Sequence, residues 1–249
     1  MLSQTNQALV RGTLAALPEF SHETGGRRFF RLYLETARLS GAVDRLPVIA
    51  PESVLGTLDP SGGGKVTVSG SLRSHNLRAE DRRRLLIFLY ADQIAAEDGP
   101  DLNDITLRGN LCREPVYRKT PLGREICDIM LAVPRMGRRG DYIPCILWGS
   151  TARRAAQHHT RDCLTVFGRL QSRVYTKLTE AGAKECTAYE VSARGMEEEY
   201  YPLPGEGGRA KPCRVWGESC TKPVPPLFRL GCAEPPSPRG RFTRKELFL

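Results

Sequence analysis

The stretches NQALVRGTLAALPEF (residues 6–20) and NDITLRGNLCREPVY (residues 103–117) read as two versions of one segment, 97 residues apart. Gly12 falls on Gly109, Leu14 on Leu111 and Pro18 on Pro115. The register holds without a gap through Gly26 and Gly123, Leu34 and Leu131, Arg38 and Arg135, Asp44 and Asp141, Pro47 and Pro144, and Ile49 and Ile146. One inserted residue then moves the spacing to 98, so that TVSGSLRS from Thr67 meets TVFGRLQS from Thr165. Chance does not produce a colinear set of this length, and the period is too long for a solenoid. The chain therefore reads as two copies of one small domain, joined near the polar stretch AAEDGPDLND (residues 95–104). This gives a first copy over 1–98, a second over 99–197 and a tail over 198–249.

Each copy reads as mainly β. Ile126 to Val133 alternates, with Cys127, Ile129, Leu131 and Val133 on one face. Tyr142 to Trp148 alternates too. It sets Ile143, Cys145 and Leu147 against Tyr142, Pro144, Ile146 and Trp148. Leu164 to Leu170 and Thr187 to Ala193 read as further strands. A helix over TARRAAQHHT, with Ser150 as its N-cap, separates the third strand from the fourth. Glycine inside a strand, as in Gly-Ser-Leu at 70 and Gly-Arg-Leu at 168, marks a bulge or sharp bend. Five strands with a helix between the third and fourth is the order of an OB-fold barrel. The expected fold class is all-β: two tandem five-stranded OB-fold barrels, each with a short helix at most, and a Pro-rich irregular tail.

The 249 residues are 40% hydrophobic and 26% charged, enough for packed cores. No apolar run approaches the length of about 20 residues that spans a bilayer. The N-terminus lacks the pattern of a secretory signal, so the expected compartment is the cytoplasm, with the cysteines as reduced thiols. The net charge of +9 divides into +1 for residues 1–100, +3 for 101–199 and +5 for 200–249. A basic balance suits a polyanionic partner, because each Lys or Arg set on a phosphate releases a condensed counterion.

The second copy resembles the bacterial single-stranded DNA-binding protein (SSB) family, including its primosomal relatives. The resemblance rests on NDITLRGNLCREPVYRKTPLG from Asn103, ICDIMLAVPR from Ile126, DYIPCILWGSTARRAA from Asp141 and CLTVFGRLQSRVY from Cys163. It implies a non-enzymatic protein that binds single-stranded DNA with little sequence preference in replication, recombination or repair. Such a protein stacks bases on aromatic rings beside a basic groove, which suits sequence independence because every base has a π-face. The family's aromatic positions fall on Tyr142, Trp148 and Tyr175. Tyr142 and Trp148 have the same parity on one strand. Tyr175 is expected to end its strand and open the loop TKLTEAGAKE. Arg118, Arg135, Arg173 and Lys177 are the candidate phosphate contacts. Two departures are visible: the loop MGRRG (136–140) has no aromatic residue, and Pro144 stands where a basic side chain is usual.

The first copy carries Arg45, Pro51 and Leu77 at the positions of Tyr142, Trp148 and Tyr175. It is expected to serve as a barrel–barrel interface or a weak backbone contact, and two barrels in one chain can mimic a dimer. The resemblance leaves open a homo-oligomer. It also leaves open a protein-docking OB module of a primosome or mobile-element complex, and an RNA-binding OB protein.

No catalytic, metal or cofactor site is expected. His158 and His159 point about 100° apart on a helix and do not chelate on one face. Cys213, Cys220 and Cys232 lack paired Cys-x2-Cys spacing. Ser61 to Lys65 lacks the Walker spacing. The tail from Tyr200 holds nine of the 18 prolines and ends RGRFTRKELFL. That ending is basic where relatives often carry an acidic tip that recruits replication and repair proteins.

Overall fold

The computed structural model describes residues 5–56, 64–79, 82–135, 139–179 and 182–198, with the side chains of 78–79, 82–84, 177–179 and 184 excluded. The expectations for the tail, for its three cysteines and for Ser61 to Gly63 lie outside the described residues.

The first copy holds β1 (Asn6–Leu14), β2 (Glu19–Thr24), β3 (Arg27–Ala37), β4 (Val43–Pro51), β5 (Lys65–Ala79) and β6 (Arg82–Ala96). The second holds β7 (Leu102–Leu111), β8 (Val116–Lys119), β9 (Glu125–Arg135), β10 (Arg139–Trp148), β11 (Cys163–Thr179) and β12 (Gly182–Glu198). A helix, α1 (Gly149–Ala155), follows β10. The first copy has only a 3-10 turn there, Glu52–Val54.

Strand β1 pairs with β5 and with β3, β3 with β4, β4 in parallel with β6, and β6 with β5. That ring of five strands is a closed OB barrel. The second copy closes the same way through β7, β9, β10, β12 and β11. Strands β2 and β8 lie outside the ring, as hairpin partners of β3 and β9. The alternation seen in the sequence becomes the core. Cys127, Ile129, Leu131 and Val133 are buried, as are Ile143, Cys145 and Leu147.

Glycine marks the closures. Gly12 and Gly109 lie where β1 meets β3 and β7 meets β9, and a Cβ there would run into the carbonyl oxygens of Glu35 and Ala132. Gly70 and Gly168 sit at register shifts in the β5–β6 and β11–β12 hairpins, against the carbonyls of Tyr90 and Ser192. Just beyond, the side-chain amide of Asn6 pairs with both backbone groups of Leu72, at 2.7 and 2.8 Å. Asn103 does the same with Leu170, at 2.7 and 2.9 Å. Each asparagine extends the ladder past the bulge as a backbone amide would.

The two barrels join through antiparallel pairing of β1 with β7. Ala8 faces Ile105, its own repeat equivalent, and the Asn6–Leu107 pair mirrors the Val10–Asn103 pair. A pseudo-twofold axis therefore passes between Ala8 and Ile105, as in an isologous dimer made within one chain. A second set of reciprocal contacts closes the seam. Buried Asp44 accepts from the Ser172 amide (2.7 Å) and hydroxyl (3.0 Å) and from the Nε of Arg38 (2.7 Å). Its equivalent, buried Asp141, accepts from the Ser74 amide (2.8 Å) and from Arg73 (3.1 Å), with Arg135 at 3.7 Å. The connection between the copies is pinned as well, since Lys65 reaches Gly99 O (2.7 Å) and Asp101 (2.9 Å), and Asp101 accepts the Ala37 amide.

Three local expectations change. The helix stops at Ala155, and its N-cap is Trp148 with no side-chain cap, so Ser150 lies inside the first turn. His158 and His159 follow the helix and pair separately, with Asp162 and Glu198 and with Glu114. Of the segment expected as a loop after Tyr175, residues 176–179 and 182–185 are instead strand. Residues 171–179 pair with 182–190, and Tyr175 faces Cys186. The long hairpin has enough cross-strand pairs to stay ordered where polar composition alone suggests a loop.

Candidate nucleic-acid interface

Residues paired directly across strands share a side of the sheet. On β10, Tyr142, Pro144, Ile146 and Trp148 oppose Ala132, Met130, Asp128 and Ile126 of β9. Ile126 opposes Arg118 of β8. On the other flank Ile146 meets Ser192 of β12, and Ser192, Glu190, Ala188 and Cys186 oppose Arg169, Gln171, Arg173 and Tyr175 of β11. All these side chains leave one outer face of the second barrel. The face therefore collects Tyr142, Trp148, Tyr175, Arg118 and Arg173 from three strands, β8, β10 and β11.

Its floor is apolar, with Met130, Pro144 and Ile146 buried. Trp148 stands at one end and is 39% exposed. Its Nε1–H donates to the Ser192 hydroxyl at 3.1 Å, which fixes one edge of the indole and leaves the ring a platform. Tyr142 and Tyr175 are half-buried. The Arg173 guanidinium lies 5.8 Å from the Tyr175 ring centroid, within cation–π range.

The arginines are not bare charges. The Nε of Arg118 donates to Asp128 at 2.8 Å, and the Nε of Arg173 lies 3.9 Å from Glu190. Glu190 is buried and accepts from Gln171 at 2.9 Å. A phosphate here would compete with an acid for Arg118 and for Arg173.

Arg135 does not join this group. It has the opposite parity on β9 and turns toward Asp141 at the seam. Strand β11 includes Lys177, paired with Lys184, but the Lys177 side chain lies outside the described residues. Ser192 and Glu190 were not among the residues picked out from the sequence. The alternation of Thr187 to Ala193 marked their strand, but only the register brings its polar side beside Trp148.

An OB barrel carrying aromatic and basic side chains on one open sheet face defines the class of single-strand-binding OB proteins. Comparison with known proteins narrows this. Residues 102–198 match the model of the single-strand binding protein family. The chain is 36% identical over 81 residues to the single-stranded DNA-binding protein of Halalkalibacterium halodurans, covering 30% of this chain and 48% of that one. It is 34% identical over 80 residues to single-stranded DNA-binding protein B of Bacillus subtilis, covering 29% of this chain and 71% of that one. The crystal structure of the wild-type single-stranded DNA binding protein from Thermus aquaticus superposes with a TM-score of 0.63 at 24% identity, over 82% of this chain and 97% of that one. The chain belongs to the single-strand binding protein family. The match spans about half the length of the Halalkalibacterium relative.

Proposed function

We propose that the chain binds single-stranded DNA, with little sequence preference, on the outer face of its second barrel, as a non-enzymatic cytoplasmic protein of replication, recombination or repair. The observation that carries this is the convergence of Trp148, Tyr142 and Tyr175 on one open face with Arg118 and Arg173. Trp148 and Tyr175 stack bases, and Tyr142 extends the platform toward the seam. Stacking reads no base edge, so the binding tolerates any sequence. Arg118, Arg173 and Lys177 hold phosphates. Arg135 supports the site from behind, by sharing Asp141 with the first barrel. The relatives, single-stranded DNA-binding proteins by name, agree with this ligand.

Alanine at Trp148 and at Tyr175 tests the reading. Each substitution is expected to weaken binding to oligo-dT by about 5- to 100-fold, the worth of one lost base stack. Unchanged affinity in both variants would refute the site. Competition between oligo-dT and oligo-U separates DNA from RNA as the preferred strand, and a preference for oligo-U would overturn the DNA assignment.

A further inference from the structure

The outer face of the second barrel holds one pair that neither stacking nor phosphate contact uses. Gln171 and Glu190 oppose each other across β11 and β12, between the Arg169–Ser192 and Arg173–Ala188 pairs. Each is 8% exposed. The Nε2 of Gln171 donates to the Oε1 of Glu190 at 2.9 Å. Among the described residues no hydrogen bond reaches the second carboxylate oxygen, Oε2, and that oxygen is not sealed from solvent. Ser192, which anchors Trp148, is the next side chain on this side of β12, about 7 Å along the strand. Glu190 therefore stands beside the Trp148 platform with an acceptor to spare.

Neither the barrel nor the nearby cations account for this acid. The repeat puts Arg73 and Phe88 at the same cross-strand position of the first barrel, which closes without a carboxylate there. The Nε of Arg173 lies 3.9 Å away, beyond hydrogen-bonding distance. Arg38, whose charge also feels Glu190, donates to Asp44 and to the Ser172 carbonyl instead. Toward a phosphate the carboxylate is repulsive, so it does not serve the grip on the backbone.

A base edge suits it better. A carboxylate accepts from the N4 amine of cytosine, whereas thymine and uracil carry a carbonyl oxygen at that position, which a carboxylate repels. We propose that Glu190 reads the edge of a base beside the Trp148 platform, its Oε2 accepting from the exocyclic amine, so that the site favours cytosine over thymine or uracil. This rests on the function proposed above and refines its ligand: base order stays unread, while cytosine-rich strands bind more tightly. Gln171 is the positioning residue, holding the carboxylate by its other oxygen.

Homopolymers that differ at one ring position test it. Oligo-deoxycytidine and oligo-deoxyuridine of about 12 nucleotides fit one OB barrel. They are compared at a pH that leaves cytosine neutral, and the use of deoxyuridine removes any contribution from the thymine methyl. The wild-type chain is expected to bind the cytosine strand at least about threefold more tightly, as a hydrogen bond to a charged acceptor allows. Glu190→Gln keeps the shape and the bond with Gln171 but turns an amide N–H toward the strand. Its ratio of affinities should fall to about one or reverse. The lost charge acts on both strands alike, so a purely structural or electrostatic role changes both affinities and leaves the ratio where it was. A strand of 2-pyrimidinone deoxynucleoside, which has hydrogen in place of the amine, gives a readout on wild-type protein free of any folding effect. It should bind as weakly as the deoxyuridine strand. Equal wild-type affinity for all three strands, or a cytosine preference that survives in Glu190→Gln or in the 2-pyrimidinone strand, overturns the inference and leaves the strand-binding site intact. A wild-type chain that binds none of them refutes the function itself.

Discussion

Asp44 is a buried carboxylate between two barrels. Burial alone would raise its pKa, but the hydrogen bonds from Arg38 and from the Ser172 amide outweigh that and hold it below the ordinary carboxylate value. A depressed carboxyl contributes stability that is full above the unfolded value, about 3.9, and is lost as pH falls through the folded one. Unfolding by urea should therefore show this contribution intact at neutral pH and failing only below about pH 4. Asp44→Asn should lower stability at neutral pH and lose part of the acid dependence; an unchanged pH profile would show that Asp44 does not fasten the seam. Asp44→Ala, which strands the Ser172 amide and Arg38, should cost about 1–3 kcal/mol. The cysteines give a second residue-scale expectation. Burial pushes the Cys127 thiol up to about 11 and raises Cys145 as well. Thiolate, the reactive form, is scarce at pH 8. Peptide mass spectrometry after brief iodoacetamide treatment of the folded protein should find both unmodified, and rapid labelling of either would contradict its burial.

Among the elements, the hairpins decide most. Gly168 lets β11 bulge against the Ser192 carbonyl, and Ser192 is the group that orients Trp148. Gly168→Ala should destabilise the protein by about 1–3 kcal/mol, because backbone has to move to admit the methyl. It should also weaken oligo-dT binding through Ser192. Wild-type stability and affinity in this variant would show that the bulge has room to spare. The strands themselves were legible in the sequence, because burial on one face writes a period of two into residues such as Cys127 to Val133. The reach of the β11–β12 hairpin was not. Residues 176–179 and 182–185 are held by cross-strand pairing, and backbone pairing by itself leaves no periodic mark in the sequence. The helix was overread: Gln157 to Thr160 are compatible with helix, but His158 packs against Asp162 and Glu198 and no apolar side chain there holds a further turn.

For the whole molecule, the repeat at 97 and 98 residues already carried the architecture, two barrels of one design. Their arrangement about the Ala8–Ile105 axis needed coordinates. Beyond the β1–β7 ladder, the seam is closed by single polar residues, Asp44 with Ser172 and Asp141 with Ser74, that look like any surface pair in the sequence. Reading the first copy by direct substitution at three positions gave only the loss of Tyr142, Trp148 and Tyr175. That Phe29, Tyr33 and Tyr90 share the first barrel's outer face emerges only once strand pairing is known. The net charge of +9 belongs at this scale too. Binding through phosphates should weaken as salt rises, with log K falling by about 0.7 per phosphate contact for each unit of log salt.

The central claim is that Trp148 is a stacking platform, and its own fluorescence reports on it. The chain has two tryptophans, Trp148 and Trp216. Titration with oligo-dT at low and high salt should quench the emission in a saturable way, with the midpoint moving to higher concentration as salt is raised. The quench should persist in Trp216→Phe and vanish in Trp148→Phe. Binding that leaves Trp148 emission unchanged, or an absence of binding at low salt, would contradict the account.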